Sequence, residues 1–120
     1  MKIYTSYFAN LKNISSNIEP ISICEKPPKS YKGKQLKNLA PSYDILNQYK
    51  RIRDIELYKD RFFNEILNKL NPLFVYSRLS ILSEGRDVVL LCYEKSNSFC
   101  HRHLVADWLS EKLNIVIEEL

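Results

Sequence analysis

Cys92, Glu94, Cys100, His101, Arg102 and His103 crowd one short stretch of this 120-residue chain, within Asp87 to Leu109. A continuous apolar run, Val88 to Leu91, leads into Cys92-Tyr93-Glu94. A polar loop, Lys95 to Phe99, separates it from a helical pattern that opens at Cys100. The order is strand, loop, helix. In an α/β sheet the carboxyl end of a strand and the amino end of the next helix share a crevice, where unpaired N–H groups and the helix dipole favour an anion.

Each residue carries a chemical and a structural reading. Arg102 falls in the first helical turn, where a cation opposes the dipole unless an anion meets it. That anion is either a phosphate or carboxylate ligand held by the guanidinium fork, or an internal partner, Glu94 or Asp107. Cys100, at the helix start beside His101 and Arg102, has the surroundings that lower a thiol pKa. Cys92 and Cys100 are therefore candidate nucleophiles, with small packing residues as the alternative. Glu94 could act as a general base or accept from a ribose hydroxyl, or simply pair with Arg102. His101 and His103 read as hydrogen-bonding groups at the crevice rim. Nine residues separate Cys92 from Arg102, so the tyrosine-phosphatase loop is absent. Cys100 and His103 share a helix face, yet their spacing, with Cys92 or Cys24, matches no common zinc pattern; no metal and no cofactor are expected.

The remaining elements must position this stretch. Ile3 to Phe8 reads as a strand, Ile18 to Cys24 as a second, and Glu25 to Lys34, with paired prolines and Gly33, as a loop. Pro41-Ser42 opens a helix ending near Asp54, with Tyr43, Leu46 and Tyr49 on one face. Glu56 to Leu70 forms a second helix through Tyr58, Phe62, Ile66 and Leu70. Asn71-Pro72 caps a third, which Gly85 closes. Val88 to Tyr93 is the central strand, Cys100 to Leu113 the last helix, and Ile115 to Ile117 a final strand. This order predicts an α/β, Rossmann-like three-layer fold: a small, mostly parallel sheet flanked by helices, in a single domain spanning residues 1–120.

Composition narrows the function. Two glycines exclude the glycine-rich phosphate loops of nucleotide-binding ATPases and dinucleotide enzymes. The net charge of +4 concentrates in Lys26, Lys29, Lys32, Lys34 and Lys37, which with Tyr31 could close over a polyphosphate or a nucleic-acid backbone. No apolar run reaches membrane-spanning length and the opening residues lack a signal-peptide core, so a cytoplasmic protein without membrane contact is expected. Three cysteines, an odd number, point to free thiols. Tyr43 and Tyr49 could mark a homo-oligomer face or belong to the core.

The stretch Val89-Leu90-Leu91-Cys92-Tyr93-Glu94, followed by Cys100-His101-Arg102-His103, resembles the C-terminal signature of the DUF488 family of small proteins of unknown function. Tyr4-Thr5-Ser6-Tyr7-Phe8, Ile21-Ser22-Ile23, Lys26-Pro27-Pro28 and Tyr31-Lys32-Gly33 resemble its short subgroup found in phages and mobile elements. The resemblance implies a Rossmann-like fold with its site where strand ends meet the Cys-His-Arg helix. The family's Asp-Val-Arg type ending on the second strand is replaced by Ile23-Cys24-Glu25-Lys26, which leaves Lys26 as the cation there.

These readings converge on a nucleotide or related phosphorylated small molecule, bound by Arg102, His101, Cys100 and Glu94, with Lys26 and Lys32 adding charge and Tyr4, Ser6 and Tyr7 at the neighbouring strand. In a phage-type protein this would make a sponge, sequestering a nucleotide signal as counter-defence. The alternative is a hydrolase or transferase working through Glu94, Cys92 or Cys100. Nucleic-acid binding through the lysine loop ranks third.

Overall fold

The computed structural model describes residues 1–95 and 99–120. Five parallel strands, β1 (Ile3–Tyr7), β2 (Glu19–Ser22), β3 (Lys34–Gln35), β4 (Val88–Cys92) and β5 (Glu118–Glu119), form one sheet in the order β3-β2-β4-β1-β5. Among the described residues four α-helices accompany it: α1 (Tyr43–Ile52), α2 (Ile55–Glu65), α3 (Pro72–Ser83) and α4 (His101–Leu113). This is the small Rossmann-like α/β fold expected. Among the described residues no helix is long and apolar enough to cross a membrane.

The run Val88-Val89-Leu90-Leu91-Cys92 is wholly buried, because β4 has a strand on each side and is covered on both faces. Register places Ile3 beside Val88, Ile21 beside Leu90 and Tyr7 beside Cys92, so the inward residues of β1, β2 and β4 share a face. Ile3, Ile21, Val88 and Leu90 pack in one core with Ile45 of α1, Tyr58 and Phe62 of α2, Val75 and Leu79 of α3, and Leu104, Val105, Trp108 and Leu109 of α4.

Local chemistry accounts for the helix limits. Ser42 Oγ accepts from Ile45 N at 3.2 Å, Asp54 Oδ1 from Leu57 N at 3.1 Å, and Asn71 Oδ1 from Leu73 N and Phe74 N at 2.9 and 3.4 Å. Pro72 follows at the position where a missing N–H costs nothing. α3 stops where Glu84 and Gly85 turn left-handed, at φ 56° and 81°.

Several boundaries move. α2 ends at Glu65, and Leu67–Lys69 tightens into a 3-10 turn rather than continuing the helix to Leu70. The last strand lies at Glu118–Glu119 instead of Ile115 to Ile117. Asn114, left-handed at φ 53°, ends α4, and Ile115 N still bonds back to Ser110 O. β3 emerges from the end of what reads as loop: Tyr31 Oη donates to Lys34 O at 2.6 Å, and Lys34 pairs with Glu19 at 2.8 Å. On α1 the fully buried residue is Ile45, while Tyr43 is 71% exposed, which removes it from the core. Within the predicted loop from Lys95 to Phe99, Ser96 to Ser98 lie outside the described residues.

Replacing Asn71 with Ala removes the side-chain acceptor that caps α3 and should lower stability by about 1 kcal/mol. Urea denaturation with an unchanged m-value would report it.

Candidate functional site

At the carboxyl ends of β2 and β4 lies a cavity of about 470 Å³. Cys92, Cys100 and His101 contribute to its lining together with Cys24, just past β2, and Tyr93 and Glu94, just past β4. α1 supplies much of the rest. Tyr43, Leu46, Asn47 and Lys50 follow the i, i+3, i+4, i+7 spacing that puts side chains on one helix face, and Arg53 extends the stripe. Tyr49, Tyr58 and Phe99 add aromatic rings, with Tyr58 and Phe99 edge to face at 5.0 Å.

Cys92 and Cys100 meet as a disulfide, with Cα atoms 7.1 Å apart. The odd cysteine count pointed to free thiols throughout, and among the three only Cys24 is free. The pairing is invisible in sequence, since it arises only when α4 folds back onto the end of β4. Burial pushes the Cys24 thiol up to about 12, against a smaller opposing pull from a backbone N–H near Tyr93. It is therefore a poor nucleophile.

His101 is buried, not a rim residue. Its Nε2 lies 2.6 Å from Ile23 O, and a carbonyl can only accept, so Nε2 carries the proton and Nδ1 presents a lone pair. Nδ1 is 3.9 Å from Cys100 Sγ. Burial depresses the imidazole pKa to about 4, with the hydrogen bond to Ile23 opposing and neighbouring Arg102 reinforcing. The ring is neutral at ordinary pH. His103 occupies the same helix, and its Nε2 is buried without a hydrogen-bond partner among the described residues.

Arg102 points elsewhere. It is fully buried, and its guanidinium is met by an internal carboxylate that neither candidate partner, Glu94 nor Asp107, supplies. Glu119 of β5 accepts from Nη2 at 2.8 Å and from Nε at 3.2 and 3.3 Å. Nη1 donates to Glu94 O at 2.6 Å and to Cys92 Sγ at 3.1 Å. The ring of Tyr7 lies 5.9 Å from the guanidinium carbon. Glu94 thus meets Arg102 through its backbone carbonyl, and the residue also borders the cavity.

The sheet order divides the remaining expected residues. β1 lies on the far side of β4 from β2, so Tyr4, Ser6 and Tyr7 are not among the cavity's lining residues. Ser6 Oγ instead donates to Leu120 O at 3.2 Å. In the lysine loop, Lys26 borders the cavity and Lys32 does not; Lys34 is bound to Glu19, whose carboxyl it holds below the usual range. Tyr43, Asn47, Lys50, Arg53 and Tyr58 border the cavity without having been singled out for it. The signal for the first four is the α1 stripe and for Tyr58 the apolar face of α2, and both read equally well as core.

Two measurements follow. An imidazole whose folded pKa lies below its unfolded value of about 6.5 favours the native state fully above pH 6.5, and that contribution is lost as pH falls toward 4. The unfolded chain binds a proton there that the native chain refuses, so stability should fall by on the order of 3 kcal/mol across this window. His101→Gln, which keeps a donor toward Ile23 O, should flatten that segment of a stability-versus-pH curve. Arg102→Ala leaves Glu119 without its guanidinium and should cost about 3 kcal/mol or more by chemical denaturation. Arg102→Ala in a Glu119→Gln background should cost measurably less.

A family model described as the active DUF488-N3 subclade matches residues 7–113, a span that includes β4, α4 and the cavity. No curated protein and no solved structure matches the chain. With nearly its whole length covered, from the end of β1 to the end of α4, the chain belongs to the DUF488 family.

Proposed function

We propose that the cavity binds a nucleotide or a related phosphorylated small molecule. The observation that carries this reading is the company of side chains in one cavity: the rings of Tyr43, Tyr49 and Phe99 together with the cations Lys26, Lys50 and Arg53. Aromatic faces accept a planar base, and lysine and arginine groups accept phosphate oxygens. Arg53 supports the reading further. Its left-handed backbone at φ 60° is the cap that ends α1, with its N–H bonded to Tyr49 O at 2.8 Å, and its guanidinium lies 5.5 Å from the centre of the Tyr49 ring. The phosphate ligands are then Lys26, Lys50 and Arg53, with Arg102 a positioning residue behind Cys92. Held without turnover, such a ligand would be sequestered, the role a phage counter-defence sponge would play.

A second reading, turnover of the same class of molecule by hydrolysis or group transfer, draws on the Arg102 contact to Cys92 Sγ. A guanidinium at 3.1 Å stabilises a thiolate once the disulfide is reduced. Glu94, which borders the cavity as Glu25 does, offers a carboxylate as a base.

Arg53→Gly separates ligand binding from folding, because it relaxes the left-handed backbone while deleting a cation. Thermal shift across a panel of mono-, di- and cyclic nucleotides should show at least one that stabilises the wild type, with the shift reduced or lost in Arg53→Gly and Tyr49→Ala. No shift for the wild type, or equal shifts for all three proteins, would sink the proposal. Chromatography of the stabilising nucleotide after prolonged incubation with reduced protein distinguishes storage, where it returns intact, from turnover.

A further inference from the structure

We infer that, with the Cys92–Cys100 bond reduced, Cys92, Cys100 and His101 form a zinc-type metal site whose fourth coordination position opens into the cavity. The ligand atoms of these three residues all lie within 4.8 Å of one another, and all three residues are buried. They come from rigid supports: the last residue of β4, the cap of α4 and its first residue.

Geometry favours chelation. Tetrahedral zinc, with bonds of about 2.3 Å to sulfur and 2.0 Å to nitrogen, places two thiolates ~3.7 Å apart and a thiolate and imidazole nitrogen ~3.5 Å apart. Cys100 Sγ and His101 Nδ1 are already 3.9 Å apart. The Cα separation of 7.1 Å between Cys92 and Cys100 exceeds the roughly 4.4–6.8 Å usual for a disulfide, so the backbone spacing suits sulfurs parted by a metal.

The surroundings do what outer-shell groups do at metal sites. Ile23 O holds Nε2–H of His101, which fixes the ring and leaves Nδ1 as the ligand atom. Arg102 donates to Cys92 Sγ while Glu119 balances its charge. Two thiolates neutralise a divalent ion, leaving a site with no net charge to bury. Cys24 packs in the same sulfur cluster but lies outside the group of three, its Sγ directed at Leu91 O at 3.9 Å. With three protein ligands, all bordering the cavity, the remaining position is available to water or to a cavity ligand.

Access to the site requires a dithiol reductant. It transfers two electrons and two protons to the Cys92–Cys100 bond, becomes a cyclic disulfide and leaves two thiols. The metal then displaces both thiol protons to solvent. Sequence spacing pairs Cys100 with His103 as ligands; the fold selects His101 instead, because its Nδ1 and not that of His103 joins the sulfurs.

Cobalt(II) is the probe, added to the full chain after anaerobic reduction with dithiothreitol and desalting. The expected result is saturation at one equivalent with thiolate-to-cobalt charge transfer and intense tetrahedral d–d bands, displaced by zinc. Cys24→Ser should retain these bands. Cys100→Ser and His101→Gln, checked for folding by circular dichroism, should bind at least about tenfold more weakly. The inference is overturned if folded, reduced wild type gives no thiolate charge transfer, if His101→Gln and Cys100→Ser bind like wild type, or if the unreduced protein binds equally well. It does not rest on nucleotide binding, and the nucleotide panel can fail while these bands appear.

Discussion

A guanidinium with no exposed surface can be tolerated only where nearly all its hydrogen-bond donors are met, and Arg102 dictates much of the molecule for that reason. Its carboxylate arrives from the last strand, its carbonyl from the turn after the central strand, and its third acceptor is the sulfur of Cys92. Meeting all three at once fixes α4 against β4 and requires β5 beside β1. Thr5 Oγ1, 2.5 Å from Glu119 Oε1, ties that carboxylate back to the sheet. The charge is thus a clamp between the C-terminal strand and the chemistry-bearing turn.

Adjacent residues on α4 divide two electrostatic tasks. Arg102 faces β1 and β5 and remains charged through its carboxylate. His101, one position earlier, faces β2 and is kept neutral by burial and a carbonyl. Cys92 lies between them, touching the guanidinium on one side and Cys100 on the other. A neutral nitrogen and a cation-stabilised sulfur therefore share one small volume, with an aromatic cavity beside them.

The fold was largely legible because its strongest signals are local and redundant. Val88 to Leu91, a continuous apolar run, reads as the central strand, and Asn71-Pro72 encodes its own cap. β3 was not, since two residues at the end of a lysine loop carry no periodicity; its pairing depends on Glu19 of β2, remote in sequence, together with the nearby Tyr31 hydroxyl. The site was half legible. Cys92, Glu94, Cys100 and His101 of the strand-loop-helix stretch border one cavity, and Lys26 of the lysine loop borders it too. Arg102 illustrates the limit. Its place in the first helical turn announces a missing anion, yet nothing local names Glu119, seventeen residues on and in a strand misplaced by periodicity. Tyr4, Ser6 and Tyr7 stand apart from the cavity for a topological reason, because chain order does not reveal that β4 inserts between β1 and β2.

The two outermost strands of the sheet are each two residues long and carry charge of opposite sign, Lys34 on β3 and Glu118 and Glu119 on β5. A parallel sheet exposes unpaired backbone groups at both borders, an invitation to intermolecular strand addition. Short, charged borders offer too few hydrogen bonds to compensate for stripping water from those side chains. Lys34 and Glu119 are further committed to Glu19 and Arg102, so each terminal strand is pinned to its own sheet. These ion pairs, one at each border, thereby guard a strongly apolar central strand against aggregation.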